Sequence, residues 1–276
     1  MVIKEKYISV KREIYGYEWD SSNVSKVGGK AAQLRKITPD LVPDWVVITA
    51  DCPDDVLSGV VQEAVSLLSL PPHSPQKYSV YPYGKYAVRS SAVEEDGENQ
   101  SYAGIFESKL NVPITGLEHA VREVRDSVKD ERVTSYIDTM MKISSKYPRP
   151  SELPQNPAVI MMHMVDAKYS GVLFTTEPVE GTDRMLVEYE EGVGGVVDGK
   201  SNSKMLFLEN DSDYYSNKRT AAELNVNDLT QFYPIYIEAK RLENNYRKPL
   251  DIEWAIDKNN QPWILQVRPI TAGIAV

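Results

Sequence analysis

The sequence has one cysteine, three histidines and no apolar run long enough to cross a bilayer. Each of these scarcities removes a class of function. A single thiol permits no internal disulfide, so stability has to come from a packed core. Cys52 sits between Asp51 and Pro53 without a matched histidine, which argues against a thiolate nucleophile. Positive charge is also short, with 31 Lys and Arg against 40 Asp and Glu and a formal net charge of −9. A general nucleic-acid grip needs a basic face, so that class is excluded. An anionic ligand would have to be held by local cations and metal. The opening MVIKEKYISVKRE holds no apolar stretch of export-signal length. The expectation is therefore a cytoplasmic chain with no membrane contact.

What is present is ordinary for a globular protein: 276 residues, 42% hydrophobic and 26% charged. That length suits two lobes or one large domain. KVGGKAAQLRKI places Ala31, Leu34 and Ile37 at helical spacing, with Pro39 as the stop. DWVVITA reads as a buried strand. Asp54 and Asp55 then open a helix carrying Val56, Val60, Ala64 and Leu68. Residues 71–85, rich in Pro and Tyr, read as a connector, and YAVRSS as a strand. Phe106 to Val112 alternates like a half-buried strand. Thr115 and Glu118 have the spacing of a capping box ahead of a long helix towards Met141. AVIMMHMV, SGVLFTT and RMLVEYE read as strands, 210–218 as a loop and 227–247 as largely helix. Helices and strands mix without a regular βαβ rhythm, which predicts an α+β fold.

Two stretches carry candidate chemistry. VRSSAVEEDGENQSYAG, Val88 to Gly104, sets one arginine at the mouth of an acidic loop. Arg89 is either a partner for a nearby acid or a donor waiting for an anion such as phosphate. DIEWAIDKNNQPWILQVRPIT reads as a hairpin turning at Asn259–Asn260, because Asn tolerates the positive φ of two-residue turns. That register sets Glu253 opposite Gln266 and Asp251 opposite Arg268. These four share one face, and Ile252, Trp254, Leu265 and Val267 share the other. The polar face is either solvated, with an ion pair worth about 0.2–1 kcal/mol, or a Mg²⁺ and phosphate site. Spacing alone leaves both open.

In order along the chain, VGGKAAQL, VPDWVVITA, VRSSAVEEDGENQSYAG, SGVLFTTEP and DIEWAID…WILQVRPIT resemble the N-terminal nucleotide-binding region of the phosphoenolpyruvate synthase, pyruvate phosphate dikinase and rifampin phosphotransferase family. The similarity runs from about Lys26 to Thr271. It implies an ATP-grasp fold whose two lobes hold ATP and Mg²⁺, assigned as residues 1–113 and 114–276. It implies that Lys30 and Arg89 contact phosphates and that Glu253 and Gln266 bind metal and phosphate. Arg268, beside Asp251, then serves the phosphates. The loop from Ser101 through Gly104 to Glu107 would close over them.

The sequence also departs from the family pattern. Met162 stands where the adenine-side strand usually has an amide; it would pack on adenine or in the core. Gly194–Gly195 replace a Gly-Glu pair, with Glu188, Glu190 and Glu191 nearby. No histidine stands in a phosphohistidine block: His73 is beside prolines, His119 in a helix and His163 in a strand. The resemblance therefore implies an ATP-dependent, dikinase-type phosphotransferase that needs a separate phosphohistidine-domain and acceptor-binding protein. The alternatives are a stand-alone small-molecule kinase and an inactive nucleotide-binding regulatory module.

Overall fold

The computed structural model describes residues 24–69, 84–92, 107–129, 156–178, 184–192, 203–209 and 229–270, together with 8–10, 96–97, 100–101 and 182. They form two compact units. Described residues within Met1–Ala32, Asp44–Pro72 and Tyr83–Met164 make the first, and those within Gln33–Pro43 and Val165–Val276 the second. Each unit has an antiparallel sheet packed with helix, which is the α+β fold expected. No described helix is long and apolar enough to cross a membrane.

The first sheet consists of β1 (Ile8–Val10), β2 (Trp45–Ile48), β3 (Lys85–Ser91), β6 (Ser108–Pro113) and β7 (Ala158–His163), in the order β1-β2-β7-β3-β6. A separate ribbon pairs β4 (Asp96–Gly97) with β5 (Gln100–Ser101). Helix α1 (Val24–Leu34) precedes β2; α2 (Leu57–Leu68) and α3 (Leu117–Asp126) follow β2 and β6. Side chains alternate along a strand, so Val46, Ile48, Val88 and Met161 meet Leu57, Val60, Leu117 and Val121 in one core. β7 fills the middle of the sheet, between β2 and β3. The first unit therefore extends to Met164, past the boundary expected at 113/114, because its sheet needs a strand from beyond that point.

Two helix starts differ from expectation. α2 begins at Leu57 without a side-chain cap, although Asp54 and Asp55 precede it. A 3₁₀ turn, Ile114–Gly116, leads into α3, and no side-chain cap forms there. Glu118 is diverted: its Oε1 accepts from Ser58 Oγ at 2.5 Å and from Arg122 Nη2 at 2.9 Å. A tertiary partner has displaced the local capping box. Of the helix expected towards Met141, residues 130–141 lie outside the described residues, as do most of the connector and the loop at 210–218.

The second sheet consists of β8 (Ala167–Phe174), β9 (Arg184–Glu191), β10 (Lys204–Glu209), β11 (Leu250–Asp257) and β12 (Pro262–Pro269), in the order β10-β9-β8-β11-β12. Leu206, Val187, Leu173, Ile252 and Val267 stand in one register row across all five strands. All are buried. Helix α4 (Leu229–Tyr246) covers this face with Phe232, Ile235 and Leu242, and Phe232 meets Trp254 edge to face at 4.9 Å. Gly171, in the SGVLFTT block, lets β9 approach closely: a Cβ there would lie 1.9 Å from the Glu188 carbonyl oxygen.

Glu238 ties the Gln33–Pro43 segment into this unit. Its carboxylate accepts from the Thr38 N–H at 2.6 Å and the Thr38 hydroxyl at 3.0 Å, and it pairs with Arg241. Burial pushes its pKa up, but the bonds from Arg241 and Thr38 outweigh that and hold it below the ordinary value. A depressed carboxylate contributes stability that is present above its unfolded pKa and lost as pH falls through the folded one. Glu238→Gln should therefore cost about 1.5–3 kcal/mol near pH 7. In urea unfolding the gap from the parent protein should narrow as pH drops through the carboxylate range. A gap independent of pH would contradict the assignment.

Candidate functional site

In the first unit, backbone contacts bring together the two segments that carry the expected cations. α1 breaks at Gly28, whose φ is 75° and ψ 171°. A side chain could not follow that path, since a Cβ would lie 1.7 Å from the Ser91 carbonyl oxygen. The Gly29 N–H donates to the Ala92 carbonyl at 2.9 Å. Ser91 Oγ accepts from the Ala31 N–H at 3.1 Å and donates to the Val27 carbonyl at 2.7 Å. The Gly-Gly-Lys turn is thus stitched to the end of β3. Lys30, 8% exposed, immediately precedes Ala31, and Arg89 shares the sheet face of Ser91.

Met162 is 2% exposed and pairs between Trp45 and Ala87. Burial therefore supports its packing role over a contact to a ligand. Ser101 takes part in β5 through its backbone; its side chain, Gly104 and Gly194–Gly195 lie outside the described residues. Burial pushes the Cys52 thiol pKa up, against the Arg125 guanidinium beside it, which fits an inert thiol. His119 is exposed, 3.6 Å from Glu123. His163 is held by its Nε2, 3.0 Å from the Leu68 carbonyl.

In the second unit the hairpin has the expected polar pairs, Asp251 opposite Arg268 and Glu253 opposite Gln266. Its turn differs. Asp257 and Gln261 close a loop of Lys258, Asn259 and Asn260, with Asn260 at φ 64°. Asp257 Oδ1 accepts the Asn259 and Gln261 amides, and Oδ2 accepts the Trp263 indole N–H at 2.9 Å. The register is recovered by a bulge, since Trp254 pairs with Ile264 while Glu253 keeps Gln266. Leu265 is the extra residue. It leaves the core face, where Ile264 replaces it, and packs beside Val165, Ala167, Ala255 and Trp263.

The Asp251–Arg268 pair is not a solvated surface bridge. Arg268 Nε donates to Asp251 Oδ2 at 2.6 Å, and the Asp251 side chain is only 9% exposed against 26% for Arg268. Asp251 Oδ1 is buried without a hydrogen-bond partner. Burial pushes this carboxyl's pKa up; Arg268 pulls it down, and Glu253 adds to the rise. A buried carboxylate oxygen lacking a donor fits a cation or donor arriving with a ligand. The oxygen-donor set of Asp251, Glu253 and Gln266 fits Mg²⁺, which takes one or two protein carboxylates and completes its shell with phosphates and water. Among the described residues no group of three or more His, Cys, Asp or Glu is placed to hold a metal ion.

Sequence reasoning missed two features. Thr175 locks the SGVLFTT block to the DIEWA block: its N–H donates to the Leu250 carbonyl and its Oγ1 accepts the Leu250 N–H, both at 2.9 Å. Thr175 also donates to Glu243. The second is the reach of the polar face. Glu253 pairs with Val172, and Val172 with Glu188, so Glu188 shares the face of Glu253 and Gln266. The signal was the alternation of RMLVEYEE, which lacks a register until strand order is known.

The family model described as pyruvate phosphate dikinase, AMP/ATP-binding domain, matches residues 75–231 and 217–275. A prodigiosin synthesizing transferase of Serratia marcescens is 30% identical over 213 residues, covering 67% of this chain and 22% of that protein. A probable phosphoenolpyruvate synthase of Methanothermobacter thermautotrophicus is 28% identical over 271 residues, covering 87% and 36%. The chain thus spans roughly a fifth to a third of these relatives. Among solved structures, a D-alanine-D-alanine ligase from Coxiella burnetii aligns with 92% of this chain and 50% of its own, at 10% identity and a TM-score of 0.39.

Two substitutions test the geometry. Gly28→Ala should destabilise the first unit strongly, because backbone rather than a pliable side chain blocks the new methyl. Arg268→Ala should cost about 1.5–3 kcal/mol near pH 7, more than a surface pair, by stranding an ionised carboxylate. A carboxyl with a raised folded pKa loses stability as pH rises through that pKa. The Arg268→Ala penalty in thermal unfolding should therefore grow from acid towards neutral pH, and a flat penalty would refute the account.

Proposed function

Because the chain belongs to the pyruvate phosphate dikinase AMP/ATP-binding domain family, with the ATP-grasp fold expected of it, we propose that it binds MgATP. It then passes a phosphoryl or pyrophosphoryl group to a histidine carried on another domain or a separate chain. The observation that carries this reading is the hairpin face, where Glu253 opposes Gln266 and Asp251 holds Arg268 with one buried oxygen unsatisfied.

Phosphoryl transfer asks the protein mainly for position and for neutralisation of spreading negative charge. Arg268, oriented by Asp251, offers a planar fork of donors to phosphate oxygens. Lys30 and Arg89 supply further positive charge on the stitched segments of the first unit. Mg²⁺ on Asp251, Glu253 and Gln266 would neutralise phosphate oxygens. Leu265, brought by the bulge beside Gln266 and the Trp263 cluster, gives the base an apolar surface that the buried Met162 does not.

Nucleotide product analysis tests the proposal. AMP indicates dikinase chemistry, ADP a simple kinase, and intact ATP a binding module. Arg89→Ala and Arg268→Ala should each cut turnover severely in protein that still folds, and lysine should rescue poorly because a point charge cannot reproduce the fork. Turnover close to the parent in both alanine variants would return the arginines to structural roles.

A further inference from the structure

The face that carries Glu253 continues across the sheet, and its far half is unused by the nucleotide chemistry above. Gln266, Glu253, Val172, Glu188 and Met205 form one row from β12 to β10. Arg268, Asp251, Phe174, Leu186 and Phe207 form the next. Directly paired residues share a face, so Glu188 looks out on the same side as Glu253, two strand spacings or about 9–10 Å away. Val172 is the only side chain between them in the row.

Three observations give this half of the face a chemical character. Glu188 is half-buried, with no hydrogen-bond or ion-pair partner among the described residues. At the outer ends of the two rows Met205 and Phe207 are 57% and 39% exposed, although Leu186 within the second row is buried. At the inner end Asp251, with more than nine-tenths of its side chain buried, keeps Oδ1 without a donor, which marks the same face as built for a ligand. A partly desolvated carboxylate with no partner, beside a surface built for phosphates, suits a donor group on the molecule that receives the phosphate.

We propose that Glu188 is the acceptor-side carboxylate: it takes the Nδ1–H of an acceptor imidazole that lies over Val172 and presents Nε2 to the phosphorus. The inference rests on the MgATP reading above. In the step, the Nε2 lone pair forms the P–N bond as the P–O bond to the nucleotide breaks. The nucleotide leaves as its oxyanion with the bonding pair. The phosphoimidazole carries a more acidic Nδ1 proton, and the Glu188 carboxylate is placed to hold that proton or take it. A charged acceptor at Nδ1 raises the nucleophilicity of Nε2 before attack and disperses the positive charge after it. Glu190, one row further along the same face and paired with Ser170, is too far along the strand for this role.

The test uses the whole chain with MgATP and imidazole itself as the acceptor. ADP or AMP is read by chromatography and phosphoimidazole by phosphorus NMR. The parent protein should consume ATP in an imidazole-dependent way. Glu188→Gln should lower kcat/KM for imidazole about 10²-fold, the scale of a lost general base, while MgATP affinity from calorimetry stays within about twofold. Glu190→Gln, a neighbour with the same charge change, should behave like the parent. Glu188→Gln turnover equal to the parent overturns the inference. So does a Glu190→Gln loss as large as that of Glu188→Gln, which would reduce the effect to surface charge. A parent protein that binds MgATP but shows no imidazole-dependent turnover also overturns it. Absence of MgATP binding would instead overturn the reading beneath it.

Discussion

Asp251 imposes the constraint on which the second unit's chemistry depends. A carboxylate with nine-tenths of its side chain out of water needs charge or donors on both oxygens, and Arg268 satisfies only one. The protein could have met that need internally with a second hydrogen bond. Burial keeps the carboxyl above its ordinary pKa even with Arg268 beside it, and Oδ1 stays without a donor. Arg268 is meanwhile fixed in a single orientation by its Nε bond, and Glu253 and Gln266 are set beside it by cross-strand pairing. A small tolerated penalty in the fold thus accompanies a prearranged set of polar groups, which the proposed function assigns to phosphate and metal.

The first unit reaches a comparable result through backbone. A positive-φ glycine, a serine hydroxyl spanning two backbone groups and one amide–carbonyl bond hold the Gly-Gly-Lys turn on the last residues of β3. Lys30 and Arg89 are far apart in the chain, yet their backbones are fixed to each other. Two cations side by side repel one another. Neutral contacts at Ser91 and Gly29 join the two segments that carry them.

Much of this was legible in the sequence, and the exceptions share a cause. Alternation identified the strands and the polar face of the hairpin, because its signal is local and has a period of two. The turn was misread by one residue: Asp257 captures two loop amides and the Trp263 indole, and it thereby selects a three-residue loop. The bulge that restores the register moved Leu265 to the other face, which no pattern of single residues encodes. Glu118 left its capping role for Ser58, sixty residues away, and Glu188 acquired meaning only once β9 was known to pair with β8. Met162, for which packing on adenine or in the core was expected, is buried between Trp45 and Ala87 in the first sheet. The errors lie where a distant partner outweighed a local preference.

The central claim is that the Asp251–Glu253–Gln266–Arg268 face holds MgATP, and its most direct test is a calorimetric titration of ATP at several Mg²⁺ concentrations on the parent protein and on Glu253→Gln. Binding by the parent should strengthen with Mg²⁺. Glu253→Gln should fold normally and lose that Mg²⁺ dependence, with affinity at saturating Mg²⁺ falling by about tenfold or more, equivalent to roughly 1.4 kcal/mol. Equal affinity and equal Mg²⁺ dependence in the two proteins would contradict the account and leave the hairpin face a structural feature.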